Sequence, residues 1–549
     1  MKFSKYFLIT FFSLTFFKIN LLTPLPAPKI TLVIVIDQLA YNYIPKLSPY
    51  FQGGLKELLQ NGIVYQNTYV PHGIPETAPG HHALSTGAYP KDHGVVTNQW
   101  LDLEGNKIAY EQDKAPESQI FSNLSKEKVG ASSKNTMVDT LSDQFLLTSH
   151  NTKSKKVFAL CLKPYPAIAM AGKLGKAIWF DYNSGEFTSS KYYFKQLPLW
   201  LKKFNSTHVI DTSRPIIWET CYPLSSECYN FIFSKNYKYA GAKSFIKNPI
   251  TINPESPKGF DIYCRLPQSI KHLRELTQET IDKTLLQKSQ RVSQILLWVS
   301  FSTVDLAGHL FGPYCREIID LIYHIDLELK ELFNYVYKSY GKENILIALT
   351  ADHGVAPIPE ILRDAGYKNA IRIDAKKLLD DLNKQIDKKH KIKNFILRFE
   401  PMSFRFNHKI FNQFPHSRKR EILKTIKNFL MSQPGIKHAW SYKELEFAPI
   451  SQNQLEYFYK NQLYYGRIGD IICQPSPYCQ ITNYPTGTCH STPYDYDTHI
   501  PLIIYYKDML EHKKIYTRVY LQQLPVTLAK LLRVPQPSAS AQQILPGIY

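Results

Sequence analysis

"ITLVIVID", residues 30–37, is a run of seven apolar or β-branched residues that ends in an aspartate. A run without alternation of polar and apolar side chains is typical of a strand buried on both faces. Such strands occur in parallel sheets whose two faces are covered by helices. The stretch therefore predicts an α/β fold and places Asp37 at the carboxyl end of a central strand.

Four further runs predict strands of the same kind: "KVFALCLK" (156–163), "ILLWVSFS" (295–302), "NILIALTADHG" (344–354) and "IPLIIYY" (500–506). Helical periodicity separates them, most clearly in "CREIIDLIYHIDLELKELFNYVYKSYG", which ends at Gly341, and in "SRKREILKTIKNFLMSQPG". This alternation predicts a mostly parallel central sheet flanked by helices.

One domain is expected over residues 28–549, with inserted segments at about 185–290 and 370–480. The second segment contains "NFILRFEPMSFRFN", which suggests a small antiparallel sheet.

The net charge of +20 raises the question of an anionic partner. Lysines are scattered along the chain and form no basic repeat. We therefore interpret the charge as a solvated surface, and no readout of nucleic acid is predicted.

The N-terminus begins with the basic "MKFSK", followed by the apolar "YFLITFFSLTFF" and the proline-rich "INLLTPLPAP". This order predicts a secretory signal over residues 1–27, and hence a periplasmic or secreted protein. No clear cleavage site follows, so an uncleaved anchor is the alternative and would be the one contact with a membrane.

Eight cysteines fit an oxidising compartment without requiring one. Cys473 and Cys479 are spaced for a small disulfide loop, as are Cys221 and Cys228. Cys161 lies in an apolar run and is expected to be a buried thiol.

Carboxylates and imidazoles stand near the predicted strand ends, where sites form in open α/β sheets. Taken singly, each has an ordinary explanation as a turn former or surface histidine. Together they offer two mixed sets of oxygen and nitrogen ligands, which suit zinc. Two such ions about 3.5–4 Å apart form a clamp for phosphoryl displacement. The residues are Asp37, Asp305, His309, Asp352, His353, and His490 or His499.

These residues stand in blocks that together resemble the alkaline phosphatase superfamily. The resemblance is to its nucleotide pyrophosphatase/phosphodiesterase-like branch, which includes bacterial alkaline phosphatases with a threonine nucleophile. The resemblance covers nearly all of the mature chain, in the family's order. The blocks are "VIVIDQL", "ETAPGHHALSTGAYPKDHGVVTNQW", "AGKLGKAIWFD", "SFSTVDLAGHLFGP", "LTADHG" and "GTCHSTPYDYDTHIP".

The resemblance implies an exported two-zinc hydrolase of small phosphate esters that works through a covalent phosphoryl-enzyme intermediate. It assigns Thr77 as the nucleophile and as a bridge to the first zinc, with Asn98 and Lys163 contacting phosphoryl oxygens. It implies that one zinc is held by Asp37, Asp352 and His353, and the other by Asp305, His309 and His490.

Thr77 is expected at the positive end of a helix that "APGHHALSTG" begins, where backbone N–H groups favour an anion. A plain helix cap is the alternative role for this threonine. We expect His81 and His82 to pack around the site rather than to bind metal. The family pattern favours His490 over His499 as the last ligand.

One position departs from the family, whose monoester hydrolases usually carry Lys-x-Arg after the second strand. Here the run is Lys163-Pro164-Tyr165, and a tyrosine brings no charge. The departure suggests a phosphodiesterase or nucleotide pyrophosphatase preference, unless Lys173 or Lys176 compensates.

A catalytically weak binding homologue is a further alternative to an active hydrolase, since it could keep the fold and lose turnover. The intact nucleophile and ligands argue against it. "CYPLS" at 221–225 superficially resembles a sulfatase signature, but it lacks the arginine and lies far from the first aspartate.

Overall fold

The structure is a computed structural model that describes residues 27–121, 130–148, 154–230, 237–285, 292–452, 454–540 and 542–548. The strands are β1 (Ile30–Ile36), β2 (Ile63–Tyr69), β3 (Gln99–Leu101), β4 (Lys107–Ala109), β5 (Lys155–Cys161), β6 (Lys176–Asp181), β7 (Glu186–Thr188), β8 (Gln294–Phe301), β9 (Ile345–Thr350), β10 (Arg372–Asp374), β11 (Ile396–Glu400), β12 (Ser403–Phe406), β13 (Ile436–Ser441), β14 (Ile471–Pro475), β15 (Gln480–Thr482), β16 (His499–Tyr506), β17 (Lys513–Ile515) and β18 (Val519–Tyr520). The α-helices are α1 (Tyr43–Leu47), α2 (Gly54–Asn61), α3 (Thr77–Thr86), α4 (Pro90–His93), α5 (Leu141–Leu147), α6 (Pro164–Ala171), α7 (Leu199–Thr207), α8 (Pro267–Leu285), α9 (Thr303–Phe311), α10 (Arg316–Tyr340), α11 (Pro359–Asp364), α12 (Ala375–His390), α13 (His408–Phe411), α14 (His416–Met431), α15 (Tyr442–Phe447), α16 (Tyr457–Lys460), α17 (Asp495–Thr498) and α18 (Gln523–Leu532).

The central sheet has ten strands, in the order β17-β2-β16-β9-β1-β8-β5-β6-β7, with β18 beside β2. Strand β1 lies in the middle, parallel to β8 on one side and to β9 on the other. Strands β5 and β6 continue the parallel arrangement beyond β8. The predicted α/β fold with a mostly parallel central sheet flanked by helices is confirmed.

All five predicted strands are present, but β16 is antiparallel to its neighbours β9 and β2. Seven of the eight residues of β16 are buried, so its sequence is as apolar as that of a parallel strand. The difference has a simple cause: burial on both faces selects apolar side chains, whereas strand direction depends on the connections.

The predicted helices lie where the periodicity indicates. Helix α10 runs to Tyr340 and is followed by Gly341 at φ 80°, a conformation that favours glycine. Helix α3 begins at Thr77 and ends before Gly87, also at positive φ. All ten residues of α3 are buried, so the helix that carries Thr77 lies within the core rather than on the surface.

The predicted insertions carry most of the smaller elements. The second contains a four-stranded sheet in the order β11-β12-β14-β13, and β11 and β12 form the antiparallel hairpin expected from "NFILRFEPMSFRFN". The first contains α7 and α8 and the edge strand β7 of the central sheet. The limits of both segments remain predictions.

All eight cysteines are free thiols in the structure, including the two pairs whose spacing would permit disulfide loops. Cys161 is buried, as expected. Within the described ranges, no helix has the length and apolarity needed to cross a membrane. The predicted signal or anchor over residues 1–27 lies outside the described residues except for its last position.

Candidate metal centre

Three aspartates meet at one edge of the central sheet because three neighbouring parallel strands end level there. In the register, Ile36 of β1 pairs with Phe301 of β8, and Val35 pairs with Thr350 of β9. Asp37 directly follows β1, and Asp352 follows β9 by two residues. Asp305 lies in the first turn of α9, just beyond β8.

The six expected ligands form two groups, in each of which the potential ligand atoms lie within 4.8 Å of one another. His309 belongs with Asp305 because the two are one turn apart on α9. The groups are neighbours, since the rings of His353 and His490 stack with centroids 3.7 Å apart. The groups are Asp37, Asp352 and His353, and Asp305, His309 and His490.

Backbone carbonyls fix the orientation of all three histidines. Each Nδ1 contacts a carbonyl oxygen: His353 that of Gly354 at 2.9 Å, His309 that of Thr488 at 3.0 Å, and His490 that of Pro75 at 2.8 Å. A carbonyl only accepts hydrogen bonds, so each Nδ1 carries the hydrogen and each neutral ring has its lone pair on Nε2.

These Nε2 atoms face carboxylate oxygens. His309 Nε2 lies 3.3 Å from Asp305 Oδ1, and His353 Nε2 lies 3.4 Å from Asp352 Oδ2. Burial lowers the pKa of His353 and of His490, which favours their neutral forms. Burial also lowers the pKa of His309, but the Asp305 carboxylate and the hydrogen bond to the Thr488 carbonyl together outweigh burial and raise this pKa. A cation between a His Nε2 lone pair and a carboxylate oxygen would bind both atoms.

The charge balance also favours cations. Burial raises the pKa of Asp37, and the Asp305 and Asp352 carboxylates raise it further. The Lys163 ammonium contacts Asp37 Oδ2 at 2.7 Å and Asp305 Oδ2 at 2.5 Å, so it pairs with two of the three carboxylates. Asp37 Oδ1 is buried and has no hydrogen-bond partner. The donor set therefore fits metal ions, which would satisfy these oxygens.

Thr77 lies beside the first group. It is the first residue of α3, its exposure is 2%, and its Oγ1 is 3.3 Å from His353 Nε2. Neighbouring His81 contacts Ser300 Oγ at 2.9 Å and the Thr77 carbonyl at 2.8 Å. His81 Nδ1 also lies 3.1 Å from Asp352 Oδ2. The structure thus brings Thr77 to the ligands and places His81 behind Asp352, outside both ligand groups.

His499 lies outside both groups. Its ring stacks between Tyr41, at 4.3 Å between centroids, and Tyr69, at 4.7 Å. Its Nε2 is 2.9 Å from the Gln66 carbonyl. These contacts give His499 a packing role at the start of β16.

The two lysines considered as substitutes for the family arginine lie away from the site. Lys176 is at the amino end of β6, level with Phe158 in mid-strand β5, and its Nζ donates to the Tyr193 carbonyl at 2.5 Å. Lys173 is exposed, and its backbone N–H donates to Asp143 at 2.8 Å. Tyr165, by contrast, is beside the site, with its ring centroid 5.8 Å from Lys163 Nζ.

Two residues near the ligands were missed from the sequence. Gln38 adopts a φ of 70°, and its Nε2 donates to Asp305 Oδ1 at 2.6 Å while its backbone N–H donates to Asp352 Oδ1 at 3.2 Å. Glu76 is buried, and burial raises its pKa to about 7. In the sequence, the one feature that could have indicated these two residues is their position next to Asp37 and Thr77.

A third group of potential ligands, Cys221, Asp320 and His324, lies outside this centre. The Asp320 carboxylate already accepts hydrogen bonds from Trp218 Nε1 at 2.7 Å, from the Cys221 N–H at 2.9 Å and from Tyr229 Oη at 2.5 Å. Its oxygens are therefore satisfied, and Asp320 anchors the loop around Cys221.

Comparison with known proteins places these residues in a family context. A family model described as type I phosphodiesterase/nucleotide pyrophosphatase matches residues 31–499. The chain is 29% identical to alkaline phosphatase PhoV of Synechococcus elongatus, over 94% of this chain and 92% of that protein. It is 28% identical to alkaline phosphatase PafA of Elizabethkingia meningoseptica, over 87% of each. The crystal structure of wild-type PafA superposes with a TM-score of 0.85 at 24% identity, covering 96% of this chain and all of that one.

Proposed function

The chain belongs to the type I phosphodiesterase/nucleotide pyrophosphatase family and is a phosphoester hydrolase, and we propose that it uses two zinc ions and Thr77 as its nucleophile. The observation that carries this proposal is the pair of ligand groups beside the Thr77 hydroxyl. A mixed set of carboxylate and imidazole ligands favours zinc, because magnesium and calcium prefer sets made of oxygen ligands alone.

Asp37, Asp352 and His353 would hold one ion, and Asp305, His309 and His490 the other. When bound, the ions would stabilise the ionised threonine oxygen and the negative charge on the departing ester oxygen. The N-terminus of α3 adds a favourable dipole at Thr77.

The reaction assigned to Thr77 has two displacements. The Thr77 hydroxyl loses its proton as Oγ1 forms a bond to phosphorus, the ester P–O bond breaks, and the leaving oxygen takes up one proton and departs as an alcohol. Water then attacks the phosphothreonine, which releases inorganic phosphate and restores the hydroxyl. Lys163 and Asn98 would each donate a hydrogen bond to a phosphoryl oxygen, and the charge on Lys163 makes its bond the stronger.

We further propose that the protein is exported to the periplasm or secreted, on the basis of its basic and apolar N-terminus.

A panel of aryl phosphate monoesters, aryl diesters and nucleotides, assayed with the mature chain, tests the proposed hydrolase function. Release of phosphate from monoesters supports it, whereas no hydrolysis of any member contradicts it.

The two histidines near β16 give a matched pair for the ligand assignment. Replacing His490 with alanine should remove about one zinc per chain and lower kcat/KM by more than about 100-fold, since loss of a mere hydrogen-bond partner of a ligand already costs about 10- to 100-fold. Replacing His499 with alanine should leave the metal content at two per chain. Metal analysis of both variants checks this, and the opposite pattern would reassign the ligand.

Tyr165 favours a second candidate function, a preference for diesters. A monoester dianion carries more charge than a diester monoanion, so the absence of an arginine weakens monoester binding more. The Lys176 ammonium donates to the Tyr193 carbonyl and Lys173 is exposed, and neither contacts a proposed ligand.

Replacing Tyr165 with arginine should therefore raise the monoester-to-diester ratio of kcat/KM by about tenfold, which corresponds to roughly 1.4 kcal/mol. Replacing Tyr165 with phenylalanine is the control, since it removes the hydroxyl and adds no charge. The ratio is measured for both variants and the wild type, and an unchanged ratio in the arginine variant would mean that this position does not set ester preference.

A further inference from the structure

Glu76 is a buried carboxylate directly before the proposed nucleophile. It stands at the N-cap of α3 in an extended conformation, but its side chain makes no capping bond to that helix. Its exposure is 7%, and no lysine or arginine among the described residues forms an ion pair with it. Burying a carboxylate without a cation partner costs free energy, so its hydrogen bonds must offset part of that cost.

Those hydrogen bonds reach two other segments of the site. Glu76 Oε2 accepts from the Asn98 backbone N–H at 2.8 Å, and Oε1 accepts from Ser491 Oγ at 3.3 Å. Ser491 directly follows His490 and has a φ of 98°, which residues other than glycine rarely adopt. One carboxylate therefore links the start of α3, the Asn98 turn and the His490 loop.

The side chain of Asn98 is oriented by the same helix start. Its Oδ1 accepts from the Ala78 backbone N–H at 2.7 Å. A backbone N–H can only donate, so the amide oxygen must face Ala78 and the NH₂ group must face away from it. Asn98 is thus held at its backbone by Glu76 and at its side chain by Ala78, on either side of Thr77.

We propose that Glu76 is a positioning residue that holds Asn98 so that its NH₂ group points at a phosphoryl oxygen. The proposal rests on the proposed function, because it assumes that Asn98 contacts the substrate. A donor fixed in advance is worth about 10²–10³ in rate at such sites, and an anchor behind it should account for part of that.

Two substitutions separate the effect of side-chain length at position 76 from the effect of its charge. Replacing Glu76 with glutamine keeps the length: the amide oxygen can accept from Asn98 while the NH₂ group donates to Ser491 Oγ. Replacing Glu76 with aspartate keeps the charge but shortens the side chain by one methylene. Aspartate is also a favourable N-cap, so this variant should fold well.

The expected result is that Glu76→Gln stays within about fivefold of wild-type kcat/KM, whereas Glu76→Asp falls by about 10- to 100-fold. Both variants should keep two zinc ions and a melting temperature close to that of the wild type. The reverse order, with aspartate active and glutamine impaired, would show that charge rather than position matters and would overturn the proposal. Loss of zinc in Glu76→Asp would also overturn it, since the residue would then act on the metal centre.

A double-mutant cycle tests whether the effect passes through Asn98. Adding Glu76→Asp to Asn98→Ala should change kcat/KM by less than about twofold, because the group being positioned is gone. Independent, multiplying losses would contradict the proposal. If the wild type is active, Asn98→Ala is impaired and Glu76→Asp is fully active, only the role of Glu76 is rejected. If the wild type itself is inactive, the proposed function is rejected.

Discussion

Replacing Thr77 with alanine is expected to lower kcat/KM for an aryl phosphate by at least about 10⁴-fold, or roughly 5–6 kcal/mol. The hydroxyl beside His353 is the group that would form the bond to phosphorus, and alanine offers no substitute. The variant should also fail to accumulate a phosphoprotein when the reaction with labelled substrate is quenched in acid. Steady-state kinetics and the quench experiment together measure both effects.

Two controls make this result specific. Thr77→Ser keeps the hydroxyl and should retain appreciable activity and the phosphoprotein. Thr86→Ala, at the other end of α3, removes a buried hydroxyl that bonds the His82 carbonyl at 2.6 Å and should change stability without removing the chemistry. An alanine variant at position 77 with wild-type rates would place the nucleophile elsewhere.

Removal of metal is expected to abolish activity almost completely. The centre contains three buried carboxylates, of which the Lys163 ammonium contacts two, and the Nε2 atoms of the histidines face carboxylate oxygens, so the charge balance favours cations. Dialysis against a strong chelator should remove about two zinc ions per chain and lower the melting temperature, because bound metal stabilises only the folded state.

Restoration identifies the ion. Adding zinc should recover activity and melting temperature, whereas magnesium at the same concentration should not, since the site contains three imidazoles. Metal analysis before and after chelation is the necessary control. Full activity in protein shown to contain no metal would contradict the two-metal proposal.

Much of the fold follows from local sequence. The run at residues 30–37 is apolar because β1 is buried on both faces, and Gly341 follows α10 because the chain turns there at positive φ. The direction of β16 could not be predicted, since an apolar strand has the same composition whether its neighbours run parallel or antiparallel.

The candidate site divides in the same way. Asp305 and His309 could be paired from their spacing, because residues four apart share one face of a helix. The contact of Glu76 with Ser491 spans 415 residues, and no local pattern announces it. The position of Lys176 level with Phe158 also depended on the register of β5 and β6.

The sequence by itself determined which residue types stand at the ends of the strands, because side-chain chemistry and local periodicity are written along the chain. The tertiary structure alone decided how those residues meet. Strand register makes Asp37 level with Asp352 and brings the start of α9, with Asp305, beside them. Carbonyls of the distant residues Thr488 and Pro75 orient His309 and His490, and Glu76 joins three segments around Thr77. Such contacts depend on the relative placement of distant segments, which only the packing of the whole core sets.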